Sequence, residues 1–190
     1  MSRPWRLHQY TYAEYVALER VTSEKHEFLD GEIYTMAGGS EEHSVLQVTI
    51  VALLFNAVRP PCRVHGSELR LYVEARRLAA FPDASVICGP LQQHDASPDA
   101  TALNPSVIVE VTSDSSEEYD CGMKRECYSS IPTLREYVII SHRERRVMVD
   151  VRDADGHWSF HSATRGERFE LPSLQLEIEV DDVYLKSTIP

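Results

Sequence analysis

Positive charge is what this sequence has least of. Its 190 residues include 19 Lys and Arg against 30 Asp and Glu, a formal net charge of −11. Phosphate contacts from cations normally supply much of the affinity for nucleic acid, so this balance predicts weak non-specific DNA binding. The cations that exist fall in small clusters, Arg76-Arg77, Lys124-Arg125 and Arg143, Arg145, Arg146, which leaves room for a local positive lip. Long apolar runs are also missing. None approaches the roughly 20 residues that span a bilayer, and the first ten residues contain no apolar signal core, so a cytoplasmic chain is expected. The four cysteines (Cys62, Cys88, Cys121, Cys127) include no CxxC pair. Without a secretory signal, reduced thiols are expected rather than a disulfide framework. Cys121 and Cys127 lie six apart and share no helix face, which makes them poor joint zinc ligands. No Walker A loop, GxGxxG or GxSxG is present, so phosphate-cradling loops and a serine nucleophile elbow are excluded. No repeat, low-complexity tract or linker divides the chain, and its length predicts one domain over residues 1–190.

What is present is a series of well-punctuated elements. Thr11 followed by Glu14 reads as a capping box opening a helix to Arg20. The apolar runs flanking Asp30-Gly31 predict a hairpin. Ser40, with Glu41 and Glu42 behind it, suits the start of a helix. That helix is apolar over much of its circumference and is expected to be well buried. Arg59-Pro60-Pro61 ends it. Short strands are expected near Cys62–His65, Glu68–Val73 and Asp83–Cys88, with a polar surface loop from Gly89 to Asn104. Ser106–Thr112 is apolar on both faces, as a central strand must be. A helix over about Ser116–Ser129 follows, then strands at Glu136–Ser141, Val147–Val151 and His157–Ser162. The expected class is α/β (α+β), a mixed sheet flanked by helices.

Three residues carry the chemical signal. Glu110 lies between Val109 and Val111 in the strongest strand. A carboxylate there costs several kcal/mol unless it is compensated, so it binds a metal, pairs with a cation or keeps its proton. Asp83 opens a strand after Phe81-Pro82. If the two strands are neighbours, two carboxylates converge on one site, and with carbonyls and waters such a set suits Mg²⁺. Asp120, Lys124 and Tyr128 recur every four residues on the next helix and share a face, while Met123 and Cys127 are expected to pack inward. A lysine near two carboxylates can orient or deprotonate a water, or stabilise charge on a phosphate. A plain i,i+4 Asp–Lys pair is the structural alternative.

The succession Glu27-Phe-Leu-Asp-Gly-Glu32, Met36, Gly38, His43, Phe81-Pro-Asp83, Ile108-Val-Glu-Val-Thr-Ser113, Asp120, Lys124, Tyr128 and Glu136-Tyr137 resembles the Uma-two family of putative restriction endonucleases, within the PD-(D/E)XK nuclease superfamily. The resemblance runs from about Thr11 to Tyr184 and rests on order and spacing rather than on any single motif. It implies a restriction-endonuclease-like fold, with the family's carboxylates at Asp83 and Glu110. The lysine that commonly lies two residues after the second carboxylate is replaced here by Thr112, and the resemblance assigns its role to Lys124 on the following helix. Glu27 and His43 match further positions near the site, as an outer metal contact and a water-orienting group. Ser113-Asp114-Ser115-Ser116 departs from the family's Ser-Pro-Ser-Thr and adds a carboxylate near the site.

The expected activity is Mg²⁺-dependent hydrolysis of a phosphodiester in DNA, with Mn²⁺ as an alternative ion. Asp83 and Glu110 would be metal ligands, and Lys124, His43 and Glu27 further catalytic groups. Asp120 and Tyr128 would be supporting residues, and a homodimer is expected. The competing expectation is a non-catalytic module that uses a nuclease fold for protein binding.

Overall fold

The computed structural model describes residues 8–36, 38–95 and 101–190. Helix α1 (Tyr12–Glu19) opens with the expected capping box, Thr11 and Glu14 each satisfying the other's backbone N–H. Strands β1 (His26–Leu29) and β2 (Glu32–Thr35) form the hairpin. Its turn residues Asp30 and Gly31 both take positive φ, at 45° and 87°. Helix α2 (Glu41–Ala57) is capped by Ser40, whose hydroxyl accepts from the His43 N–H. It is less buried than its composition predicts: Leu46, Ile50 and Leu54 face the core, while Val48 and Phe55 stand in solvent. The buried stripe keeps the four-residue spacing of one helix face, and Val51 and Leu53 pack at its margins, partly buried.

Strands β3 (Cys62–Gly66), β4 (Arg70–Val73), β5 (Leu78–Ala80), β6 (Ala84–Cys88), β7 (Thr101–Ala102) and β8 (Val107–Val111) follow. Part of the expected 89–104 loop is therefore strand: β7 pairs in parallel with β4. Residues 96–100 of that loop lie outside the described residues. After β8 comes a helical segment in three parts: α3 (Glu117–Tyr119), a π-helical turn (Asp120–Lys124) and α4 (Arg125–Tyr128). Strands β9 (Glu136–Ile140), β10 (Arg146–Arg152), β11 (Trp158–Thr164), β12 (Arg168–Leu171) and β13 (Leu176–Glu179) and helix α5 (Val180–Val183) complete the chain.

The strands build a five-stranded sheet, β2-β1-β5-β4-β7, a six-stranded sheet, β11-β10-β9-β8-β6-β3, and the small pair β12-β13. The class is mixed α+β, as expected, but with two main sheets in place of one. One face of the six-stranded sheet (Val86, Val107, Val109, Val111) meets α2. The other face (Ile87, Ile108, Ile139) meets the five-stranded sheet and α4. Alternation along β8 therefore puts Glu110 on the same side as Ile108, between the sheets.

The expectation of four free thiols is corrected. Cys62 and Cys88 are register partners on the antiparallel strands β3 and β6 and form a disulfide. Their separation of 26 residues concealed that pairing in the sequence. Cys121 and Cys127 remain free. Among the described residues no helix is long and apolar enough to cross a membrane.

Candidate active site

A cavity of about 560 Å³ lies where the hairpin, α2, the adjoining ends of β6 and β8, and the π-helical turn meet. Its lining includes Glu27, His43, Asp83, Glu110, Asp120 and Lys124. The site thus gathers six of the seven residues singled out from the sequence. The seventh, Tyr128, lies behind the cavity wall, where its hydroxyl donates to Glu110 Oε1 at 3.0 Å.

Each group is positioned by a different element. The β6–β8 register pairs Ala84 with Val109 and Ser85 with Ile108, so one further step places Asp83 opposite Glu110. Asp83 precedes β6 rather than opening it. Freed from the ladder, its carboxylate caps the strand: Oδ2 accepts from the Val111 N–H at 2.7 Å, and Oδ1 accepts from Gln47 Nε2 at 2.9 Å. His43 Nε2 lies 3.3 Å from Asp83 Oδ2. His43 and Gln47 are one helical turn apart on α2, a spacing that puts them on one face. That pattern was visible in the sequence but was read only for His43.

Lys124 occupies the centre of the carboxylates. Its Nζ lies 2.9 Å from Glu27 Oε1, 3.1 Å from Glu110 Oε1 and 3.1 Å from Asp120 Oδ1. The Asp120 contact is an ion pair out of line for a hydrogen bond, so that buried Oδ1 has no hydrogen-bond donor among the described residues. The π-helical turn runs from Asp120 to Lys124, and such bulges recur at functional sites. It also moves Met123 outward, against the expectation that this residue packs inward: Met123 is exposed and lines the cavity, while Cys127 is buried as expected.

Burial and neighbouring charges shift the titration of the centre. Burial works against the Lys124 ammonium, but Glu110, Glu27 and Asp120 outweigh it and hold its pKa well above the usual lysine value. The three carboxylates around Lys124 favour its ammonium form. Burial pushes the Glu110 carboxyl well above the usual range; Lys124 opposes this, and Asp120, Asp83 and Glu27 add to it. The Asp83 hydrogen bond raises the pKa of His43 against its partial burial. Tyr128 is raised by burial first and by Glu110 second, so its hydroxyl remains a donor.

These residues fit a divalent cation on charge. Four buried carboxylates (Glu27, Asp83, Glu110, Asp120) face one buried ammonium. Such an excess is costly without a further positive charge, and Mg²⁺ needs only one or two carboxylates, completing its shell with water. A different trio, Asp153, Asp155 and His157, brings ligand atoms within 4.8 Å of one another. It is an exposed hairpin turn in which Asp153 accepts from the His157 N–H at 2.8 Å, an arrangement that serves the turn without any ion.

The expected positive lip is absent from the cavity: among the described residues Lys124 is its only lysine or arginine. Arg77 holds Asp30, Arg125 holds Asp150, and Arg143, Arg145 and Arg146 hold Asp114 with Glu117, Asp181 and Glu144. Asp114, the departure noted beside the site, is engaged by His142 and Arg143, and the His142 hydrogen bond lowers its pKa.

A family model described as "Uma2: Putative restriction endonuclease" matches residues 12–182. Two uncharacterized proteins of Synechocystis sp. are similar to the chain. One, slr1290, is 34% identical over 172 residues, covering 90% of this chain and 89% of the relative. The other, sll1609, is 34% identical over 149 residues, covering 78% and 84%. Among solved structures, a "putative nuclease belonging to DUF820" from Anabaena variabilis superposes with a TM-score of 0.70 at 17% identity, covering 86% of this chain and 92% of that one. The fold of the chain is the fold of that protein.

Proposed function

The chain belongs to the Uma2 family of putative restriction endonucleases, and from that premise we propose that it is a divalent-metal-dependent endonuclease that hydrolyses phosphodiester bonds in DNA as a single domain. One observation carries this reading: the cavity's buried carboxylates outnumber its ammonium, and Asp83 and Glu110 lie opposite each other at its floor.

Asp83 and Glu110 would hold Mg²⁺ or Mn²⁺. When bound, the cation supplies Lewis acidity and counter-charge for the phosphodiester. The protein's own residues set the stage for that chemistry. Gln47 and the Val111 N–H fix the two oxygens of Asp83, and His43 adds a contact to the oxygen that Val111 holds. Tyr128 and Lys124 fix Glu110. Lys124, kept protonated by its carboxylates, stabilises charge that builds on the phosphate oxygens as water attacks phosphorus. In that step a P–O bond to water forms, the bond to the leaving oxygen breaks, the water gives up a proton to solvent and the leaving oxygen takes one up. Glu27 and Asp120 position Lys124.

Isothermal titration with Mn²⁺, paired with a cleavage assay on labelled DNA, tests the proposal. Metal binding and cleavage that both vanish in Asp83→Ala and Glu110→Ala are expected. Cleavage that survives either substitution at full rate removes these residues from the mechanism. A folded protein that binds no divalent ion at millimolar concentration favours the non-catalytic module.

A further inference from the structure

The mouth of the cavity is built unlike a surface that grips duplex phosphates. Beyond the single buried lysine it presents apolar and aromatic side chains, Leu29, Tyr34, Met36, Phe81, Tyr119 and Met123. Two of these are half-exposed, Tyr34 at 48% and Met123 at 48%. Each is one step from the charged floor. Tyr34 on β2 is the register partner of Glu27 on β1. Directly opposed residues project to the same face with Cβ atoms about 5 Å apart, so the tyrosine stands beside the carboxylate that holds Lys124. Met123 immediately precedes Lys124 on the π-helical turn.

Resting on the nuclease reading above, we propose that this cavity receives an unstacked nucleotide of single-stranded DNA, with Tyr34 and Met123 flanking its base and its phosphate directed to the Asp83–Glu110–Lys124 floor. Charge favours this occupant over a duplex. Duplex affinity grows with the number of phosphates neutralised by cations, and Arg77, Arg125, Arg143, Arg145 and Arg146 are each paired with a carboxylate. Stacking is indifferent to that shortage, because every base presents a π-face to an aromatic side chain. An apolar, polarisable methionine adapts to whichever base arrives. A base placed between Tyr34 and Met123 must leave its stack, which costs a few kcal/mol in a duplex and least in a single strand.

The test is fluorescence anisotropy and cleavage with a labelled mixed-sequence single strand and with the blunt duplex of the same sequence. Binding is measured with Ca²⁺ and cleavage with Mn²⁺. The strand is expected to bind and to be cut at least about tenfold better than the duplex. Tyr34→Ala should weaken strand binding by about 5- to 150-fold, the range that base–aromatic stacking carries, while Tyr34→Phe retains it; circular dichroism checks that both fold. The logarithmic salt slope for the strand should be shallow, corresponding to roughly one or two phosphates. Equal cleavage of duplex and strand, or strand binding unaffected by Tyr34→Ala, overturns this proposal while leaving the nuclease reading intact. Failure to cut either DNA with any divalent ion overturns both.

Discussion

Asp83 and Glu110 are opposite each other across the β6–β8 pair, yet they are held from opposite directions. Asp83 is fixed by α2 and by the end of β8, and Glu110 by the segment carrying Lys124 and Tyr128. A carboxyl pair gripped from both sides cannot relax apart when its charges repel. It relieves the strain by holding a proton or a cation.

Glu110→Gln should therefore separate stability from metal binding. The amide oxygen can still accept from Tyr128 and Lys124, and one buried negative charge is removed. Without metal, the variant is expected to unfold at the wild-type temperature or above it. Wild-type protein should gain about 2.7 kcal/mol at a metal concentration near 100 times Kd, and the variant essentially nothing. Thermal denaturation with and without Mn²⁺ reads both quantities.

Lys124→Met should have the opposite effect. It leaves Glu27, Glu110 and Asp120 facing one another with no ammonium between them. Breaking a buried charge network in this way costs about 3–5 kcal/mol, to be read from urea denaturation. Single-turnover cleavage by the folded fraction should fall about 100-fold or more, the usual consequence of losing a group that stabilises developing charge.

The parts of this site legible in the sequence were those with a local cause. A carboxylate inside an apolar strand, a proline before Asp83 and the i,i+4 stripe of Asp120, Lys124 and Tyr128 are all read within a few residues. The fold's capping box and its Asp30-Gly31 turn were legible for the same reason. What depended on long-range registry was not. The Cys62–Cys88 bond needs β3 beside β6, and the second sheet needs β5 between β1 and β4. The commitment of Arg143 to Asp114 and Glu117 needs the β8–β9 connection. The outward turn of Met123 escaped because α-helical periodicity does not anticipate a π-helical turn. The strands β12 and β13 do alternate, Arg-Phe-Glu-Leu and Leu-Glu-Ile-Glu, but at four residues each the pattern is too short to stand out.

The disulfide gives a direct count. In denaturant without reductant, a thiol reagent should titrate two cysteines, Cys121 and Cys127, and four after reduction. Closing a loop of this length stabilises by about 2–4 kcal/mol, so Cys62→Ser with Cys88→Ser should lower the unfolding free energy, read from urea denaturation, by that amount. Cleavage by the folded variant should persist, because neither cysteine lines the cavity.

Gly39 has a steric role that its exposure conceals. A Cβ at this position would lie 2.6 Å from His43 Nδ1 and 3.0 Å from Cγ, so the imidazole must move, and its contact with Asp83 moves with it. Gly39→Ala is expected to leave thermal stability within about 0.5 kcal/mol, as for most surface substitutions. Metal affinity should fall in parallel with that of His43→Ala. Calorimetry on Gly39→Ala, His43→Ala and the double variant checks this: the two effects should fail to add, since both act through Asp83.

The pH dependence of metal binding follows from Glu110. Its carboxyl is raised in the folded protein, by burial first and by its acidic neighbours second. Between the ordinary value near 4.5 and the raised one, the folded, metal-free protein keeps a proton that the unfolded chain has already lost. In that window the Glu110 contribution to metal-free stability declines as pH rises. A cation needs the carboxylate, so its binding expels that proton and strengthens with pH. The Mn²⁺-induced rise in unfolding temperature should therefore grow from acidic to mildly alkaline pH and approach a plateau above the raised pKa. In Glu110→Gln any residual shift should lose this Glu110-linked dependence. Proton release can be measured directly by repeating the calorimetric titration in buffers of different ionisation enthalpy. Wild-type binding that releases no protons anywhere in the window would exclude Glu110 as the group whose proton the metal displaces.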